Sequence, residues 1–226
     1  MEEKKVIELK KEELAFKEYI KNYLGKGKFS KIKIEYTPVG EKIIISTSKP
    51  GLIIGRGGER IKELTSALRT KFKLENPHIE IDEIEEPNFD AKTIADEIAI
   101  TLENLGPLKF KVIAYRTLQR IINAGALGVE IRLGGKLPGA RAKKWRFAQG
   151  YLKKVGDSAK VVDRAKSTAQ TKPGVVGVKV SILSPNVKLF DNIVIDDDFI
   201  KKLKEQNKKT EEIKQEKNKK KNKKKK

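Results

Sequence analysis

The chain has 226 residues, 51 of them lysine or arginine against 31 aspartate or glutamate, with no cysteine and one histidine. That composition excludes disulfides, thiolate metal sites and a histidine metal cluster, and no apolar run approaches the roughly 18 residues needed to cross a bilayer. A formal net charge of +20 calls for a polyanionic partner, or else the chain must bear its own repulsion.

The opening stretch, MEEKKVIELKKEEL, is too acidic for a transit peptide and lacks the apolar core of a secretory leader, which together with the missing cysteines predicts a soluble intracellular chain. Residues 12–24 place Phe16, Tyr19, Ile20 and Tyr23 at helical spacing, and Gly25 and Gly27 end that segment. SKIKIEY and EKIIISTS read as two strands joined by a turn at Pro38-Val39-Gly40. A short apolar segment, Leu52-Ile53-Ile54, leads into a glycine turn and then a helix with Ile61, Leu64, Leu68 and Phe72 on one face. HIEIDEI closes the unit as a third strand, with Ile79, Ile81 and Ile84 inward.

EEPNFD has the composition of a linker, with Asp90 placed to cap the next helix. That helix carries Ala91, Ile94, Ala95, Ile98, Leu102 and Leu105 and stops at Gly106-Pro107. A second helix is predicted from Leu108 to Ala124. GVEIRLGG and AKKWRFAQGYLKK follow as strands, and GVVGVKVSIL alternates Val176, Val178, Val180 and Ile182 as another. Two helices followed by an antiparallel sheet make an α+β unit. Residues 200–226 hold too little apolar surface to fold alone and read as a disordered lysine-rich tail, either a solubilising extension or an arm that neutralises phosphates.

The turn Gly55-Arg56-Gly57-Gly58 sits at the start of a helix, where unpaired N–H groups and the helix dipole favour an anion. Glycine lets a ligand backbone come close, Arg56 adds a positive charge, and Leu52, Ile53, Ile54 and Ile61 would wall an apolar groove beside it. A phosphate-binding P-loop is excluded, because no Lys-Ser or Lys-Thr pair follows at the right spacing. A dinucleotide fingerprint fails at Arg60, where glycine is required. A tight turn needing positive φ is the plainer reading of four such residues. GLIIGRGGERI in this element order nevertheless resembles a KH domain of the second topology, spanning residues 12–86. The resemblance implies a Gly-x-x-Gly loop that clamps about four nucleotides by their backbone.

Charge is distributed unevenly. Residues 1–90 hold 18 basic and 17 acidic side chains, whereas residues 109–172 hold 16 basic and 3 acidic. No basic helix with aromatic residues on its opposite face argues for a membrane, so nucleic acid is the expected partner. Lys109, Arg116 and Arg120 fall within about 40° of one another on a helix, opposite Leu118, Ile121 and Ile122. Lys136, Arg141, Lys143, Lys144, Arg146, Lys153 and Lys154 follow on a loop and strand, and Arg164, Lys166 and Lys172 extend the set. Such cations are expected to hold phosphates and so position the chain without reading sequence. Alternation puts Trp145 and Phe147 on one face, where core packing is favoured over base stacking, and Lys144 and Arg146 on the other.

YRTLQRIINAGALGVEIRLGGKLPGARAKKWRF followed by TKPGVVGVKVSIL resembles the C-terminal domain of the universal small-subunit ribosomal protein numbered three, with GYLKKVGDSAK pointing to its archaeal and eukaryotic branch. The resemblance covers residues 10–185. It implies a protein of the subunit head that binds small-subunit rRNA, lies near incoming mRNA and touches neighbouring head proteins. Bacterial relatives carry a denser basic cluster near the start of the helix, which Val112 and Tyr115 interrupt here in KFKVIAYR.

The expectation is thus an α+β chain: a type-II KH domain over 12–86, a second α+β domain over 90–185, and a disordered tail over 200–226. The alternatives are a free-standing KH-domain RNA regulator and an enzyme acting on nucleic acid. The regulator should concentrate charge on the KH unit, and the enzyme needs a nucleophile, base or metal cluster that the sequence does not offer. No cofactor is expected. His78 reads as a capping or packing residue, Asp196-Asp197-Asp198 as a solvated run, and the acidic IDEIEEP as a face that repels RNA or meets a basic neighbour.

Overall fold

The computed structural model describes residues 2–187 other than 38, 39, 73, 75 and 138, together with residue 189. The chain divides into residues 1–187, a compact unit, and a second unit, residues 188–226. Apart from Leu189 the second unit lies outside the described residues, and with it the 200–226 tail and Asp196–Asp198. Pro38 and Val39 of the predicted hairpin turn also lie outside them.

The N-terminal part runs α1 (Glu2–Leu24), β1 (Lys31–Thr37), β2 (Gly40–Thr47), α2 (Pro50–Ile54), α3 (Glu59–Phe72) and β3 (His78–Glu83). Its sheet has the order β1-β2-β3, with β1 antiparallel and β3 parallel to β2. The parallel pair needs a crossover, which α2 and α3 provide. Phe16, Ile20 and Leu24 of α1 pack with Ile43 and Ile45 of β2, Ile53 of α2, and Leu64 and Leu68 of α3. The first helix begins ten residues before the predicted 12–24 segment; Val6 and Ile7 of its early turns are exposed and are no part of an inward stripe. Tyr23, expected inward, is exposed and donates its hydroxyl to Glu63 at 2.8 Å. Ile84 lies just past β3, half-buried, with its N–H bonded to the Thr47 carbonyl at 2.9 Å.

The second part runs α4 (Ala91–Leu105), α5 (Phe110–Asn123), β4 (Gly128–Gly135), β5 (Lys143–Gly150), β6 (Asp163–Thr171) and β7 (Gly174–Leu183). All pairings are antiparallel, in the order β5-β4-β7-β6. Val129, Ile131, Leu133, Val176, Val178, Val180 and Ile182 form the inner face, covered by Ile94, Ile98 and Leu102 of α4 and Phe110, Leu118 and Ile121 of α5. Leu105, predicted inward, is exposed at the last residue of α4, where Gly106 at φ 81° turns the chain away. The predicted strand AKKWRFAQGYLKK ends at Gly150, also at positive φ, and its last four residues lie outside β5. One strand, β6, was not foreseen. Ala165, Ser167 and Ala169 face inward there, beneath α4, so a helix sits over a strand with no bulky apolar residue to announce it.

The linker-like EEPNFD is an ordered joint. Asp90 caps α4 by accepting the Thr93 N–H at 2.8 Å, as its position predicts, and its other oxygen accepts the buried Ser30 hydroxyl at 2.6 Å. Beside it Asp96 accepts the Gly27 N–H at 3.2 Å, and Glu103 holds both Lys26 at 3.1 Å and the Gln170 N–H at 2.8 Å. The second part therefore grips the loop after α1 with carboxylates. Asp90→Ala removes a helix cap and strands a buried hydroxyl, and it is expected to lower stability by about 1–2 kcal/mol and Tm by about 2–8 °C in a thermal melt.

Candidate nucleic-acid interface

Pro50 opens α2 at a position where its missing N–H costs nothing. Gly55 (φ 74°) ends that helix, and Arg56–Gly58 form a single 3₁₀ turn before α3, with Gly57 and Gly58 also at positive φ. A Cβ on Gly55 would lie 2.9 Å from Cγ of Arg60, whose guanidinium reaches back to the Leu52 carbonyl at 3.0 Å. Behind the turn, then, space is filled. In front it is open: a Cβ on Gly57 or Gly58 would meet nothing within 4 Å. Arg56 is exposed beside it. Leu52 and Ile54 are exposed and Ile61 is half-buried, so they can wall a groove, but Ile53 cannot, because it is buried in the core.

The larger cationic surface is the outer face of the four-stranded sheet. Register places Arg146 of β5 opposite Arg132 of β4, Arg132 opposite Lys179 of β7, and Lys179 opposite Lys166 of β6. The four make an unbroken row across every strand, at the interstrand spacing of about 4.8 Å. Like charges directly opposite repel, and among the described residues Glu130 answers the two arginines. Glu130, only 3% exposed, accepts from Arg132 Nε at 2.9 Å and from Arg146 Nε, with Lys154 Nζ 3.7 Å away. Burial pushes its carboxyl up, but the hydrogen bonds and charges of the two arginines outweigh that and hold it below the ordinary carboxylate value. A cavity of about 300 Å³ opens here among Glu130, Arg132, Lys154, Arg164, Lys166 and Lys179.

The other predicted cations divide by place. Lys144 stands on the same outer face of β5, opposite Gly134. Lys136, Arg141, Lys143 and Lys172 are all exposed and gather at one end of the sheet, where β4 finishes, β5 begins and β6 turns into β7. Lys153 and Lys154 lie past the other end of β5, and the Arg164 guanidinium approaches both their carbonyls at 3.4 Å.

On α5 the predicted stripe splits. Lys109 lies in the 3₁₀ turn that leads into the helix, and with Arg116 it is exposed. Arg120 is engaged by Glu97 of α4 through two hydrogen bonds of 2.7 and 2.5 Å, which raise the affinity of its guanidinium for its proton. Trp145 and Phe147 pack inward against Phe110, at 5.3 and 6.3 Å between ring centroids, as favoured over base stacking.

Sequence reasoning missed Arg132 and Lys179. The signal was present: in VEIRL and VVGVKVSIL the valines, isoleucines and leucines alternate inward, which leaves Arg132 and Lys179 outward. Among the described residues, no group of three His, Cys, Asp or Glu side chains could hold a metal ion, and no helix is long and apolar enough to cross a membrane.

A family model described as KH domain matches residues 10–89, and one described as Ribosomal protein S3, C-terminal domain, matches residues 98–182. The chain is 43% identical over 186 residues to small ribosomal subunit protein uS3 of Methanocaldococcus jannaschii, which covers 82% of this chain and 88% of that relative. It is 37% identical over 196 residues to the uS3 protein of Methanococcus maripaludis, covering 86% and 92%, and 38% identical over 181 residues to that of Methanosphaera stadtmanae, covering 80% and 71%. With two consecutive domain models in order and archaeal relatives this close over most of its length, the chain belongs to the small ribosomal subunit protein uS3 family.

Proposed function

We propose that this uS3-family chain is a structural, non-enzymatic component of the small ribosomal subunit that holds small-subunit rRNA on the outer face of its four-stranded sheet. The observation that carries this reading is the Arg146–Arg132–Lys179–Lys166 row, with Lys144, Lys154 and Arg164 beside it and Glu130 as the one acid among them. A row that crosses strands meets a phosphate backbone with several cations at once, each releasing a counterion on contact. Lys136, Arg141, Lys143 and Lys172 extend the surface round one end of the sheet, and Lys109 and Arg116 continue it on α5. Lys153 belongs beside Lys154, and Arg120 reaches RNA by exchanging Glu97 for a phosphate.

In this reading residues 12–86 form the KH domain and 90–185 the second RNA-facing domain. Gly55, Arg56, Gly57 and Gly58 offer a second, smaller backbone-binding site, since their front is open. The mRNA where it enters the subunit, and neighbouring head proteins, complete the partners, in the cytoplasm. Sucrose-gradient fractionation of native lysate tests the assignment. Cofractionation with small subunits that survives high salt is the expected result, and recovery mainly in free fractions would overturn it in favour of a free-standing KH regulator.

A further inference from the structure

We propose that the cleft between α1 and the β1–β2 pair receives an arginine side chain from a basic segment of a neighbouring protein, with Glu41 as the carboxylate that takes its guanidinium. This rests on the reading above that protein neighbours are among the partners, and it gives one of them a place and a chemistry. Register creates the site. Glu41 stands two residues before Ile43 on β2, so it points to the same face as Ile43 and Ile45, which are wholly buried under the helices. A carboxylate therefore occupies an inward position at the margin of the core. Its Oε2 is buried and has no hydrogen-bond partner. Such an atom loses water and gains no bond, and a cation brought to it would offset that cost.

The cleft beside it has a volume of about 460 Å³, within the range of sites that hold organic groups. Its floor is apolar, lined by Phe16, Ile34, Phe72 and Leu74, and Phe16 meets Phe72 edge to face at 5.2 Å between ring centroids. Its rim is acidic, with Glu12 and Glu13 contributed by α1 and Glu41 by β2. Tyr36, opposite Glu41 in the register and 61% exposed, gives the mouth an aromatic wall. Burial, and then the charges of Glu13 and Glu41, push the Tyr36 hydroxyl above its ordinary value, a sign of the negative field at this mouth. Among the described residues the nearby cations are engaged elsewhere. Lys10 and Lys17 pair with Glu13 at 3.0 and 3.8 Å, and Lys71 lies 4.3 Å from the Tyr19 ring centroid.

Chemistry decides the occupant. A phosphate backbone is repelled by three carboxylates. Among the described residues no three acids come together to hold a metal ion. Arginine suits both parts of the cleft: its stem covers the apolar floor, and its planar guanidinium stacks on a ring and offers a fork of N–H donors to a carboxylate. The segment that carries it is basic, because Glu12 extends the same field along the rim. Residues 1–90 hold 17 acidic side chains against 18 basic, so the excess charge of the chain lies elsewhere and a basic protein can approach this part.

The test is an NMR titration of the isotope-labelled full chain with a capped peptide of alanine and valine around a single arginine. Amide shifts are expected to concentrate at Phe16, Tyr36, Glu41 and Phe72. Glu41→Gln is expected to weaken binding about 10-fold or more, and citrulline in place of the arginine should match that loss. Glu12→Gln should cost no more than about threefold, because its place on the rim is exposed. The Tm of Glu41→Gln should hold or rise, since the exchange removes a charge with a buried, unpartnered oxygen. Its affinity for small-subunit rRNA should stay within about twofold of wild type. A fall in Tm together with lost binding would overturn the proposal by making Glu41 structural. Equal binding of free arginine amide would overturn the protein partner and leave a site for small cations. A wild-type chain that binds rRNA but not the peptide would overturn this proposal alone. One that binds the peptide but not rRNA would support the cleft and remove the RNA-binding reading.

Discussion

Exchanging Lys166 and Lys179 together for glutamate is expected to weaken RNA binding on the order of 100-fold at about 0.1 M salt, with the fold within about 1 kcal/mol of wild type. The two lysines are neighbours in the register of β6 and β7, both exposed, and neither holds Glu130 in place. Removing them should therefore reach the ligand without disturbing the arginine–carboxylate cluster. Two lost phosphate contacts lower the slope of log K against log salt by roughly 1.4–1.8 units, and the new carboxylates add repulsion. The comparison to make is Lys10→Glu on α1, whose side chain pairs with Glu13 at 3.0 Å and stands far in sequence from the sheet. That exchange changes the net charge by the same two units per site but should move affinity by no more than about twofold, since it lies off the row. Filter binding of small-subunit rRNA over a salt series separates the outcomes. If Lys10→Glu alone weakened binding by about half as much on a logarithmic scale, in proportion to its half-sized charge change, net charge and not the row would govern it.

The same register explains what could and could not be read beforehand. Strands announce themselves when large apolar residues alternate, as in GVVGVKVSIL, so β7 was legible down to its inward residues. β6 was not, because its inward positions are Ala165, Ser167 and Ala169. A strand packed directly under a helix gains from small side chains that let the two backbones approach, and small side chains carry no periodic signal. Arg132 and Lys179 were hidden for a different reason. Each is the lone cation among apolar neighbours, and charge runs draw attention to loops such as GARAKKWRF instead. Only pairing across strands turns four single cations into a row, and pairing is non-local. Arg120 shows the converse: helical spacing placed it correctly on the face of α5, but its partner Glu97 comes from another helix. The glycine turn was legible because it is local. Gly55, Gly57 and Gly58 all adopt the positive φ that their spacing implies. The groove beside it was misread at one residue, Ile53, since successive helical residues point about 100° apart and Ile53 turns into the core while Leu52 and Ile54 stay outside.

Glu130→Ala is expected to cost about 3 kcal/mol at neutral pH, and Glu130→Gln about 1–2, in denaturant titrations. The partners set these limits. Glu130 is almost wholly buried, so its removal leaves guanidinium groups facing one another, but the side chains of Arg132 and Arg146 remain more than half exposed, and solvent screens part of their repulsion. The pH dependence follows from the direction of its pKa. Burial opposes ionisation, yet the hydrogen bonds and charges of Arg132 and Arg146 hold the carboxyl below its ordinary value of 4.5. A group depressed in the folded state contributes its stability in full above the unfolded value and loses it as pH falls through the folded one. The gap between wild type and Glu130→Gln should therefore be constant from neutral pH down to about 4.5 and close below it. Affinity for RNA should move the other way. The exchange removes the negative charge beside the row, so binding at low salt is expected to hold or strengthen while the protein itself becomes less stable. A fall in both would mean that Glu130 aims the arginines at phosphate and does more than keep them from driving the strands apart. Stability lost with affinity kept would instead assign the buried carboxylate to the folded sheet, as the counter-charge that lets Arg132 and Arg146 stand side by side before any RNA arrives.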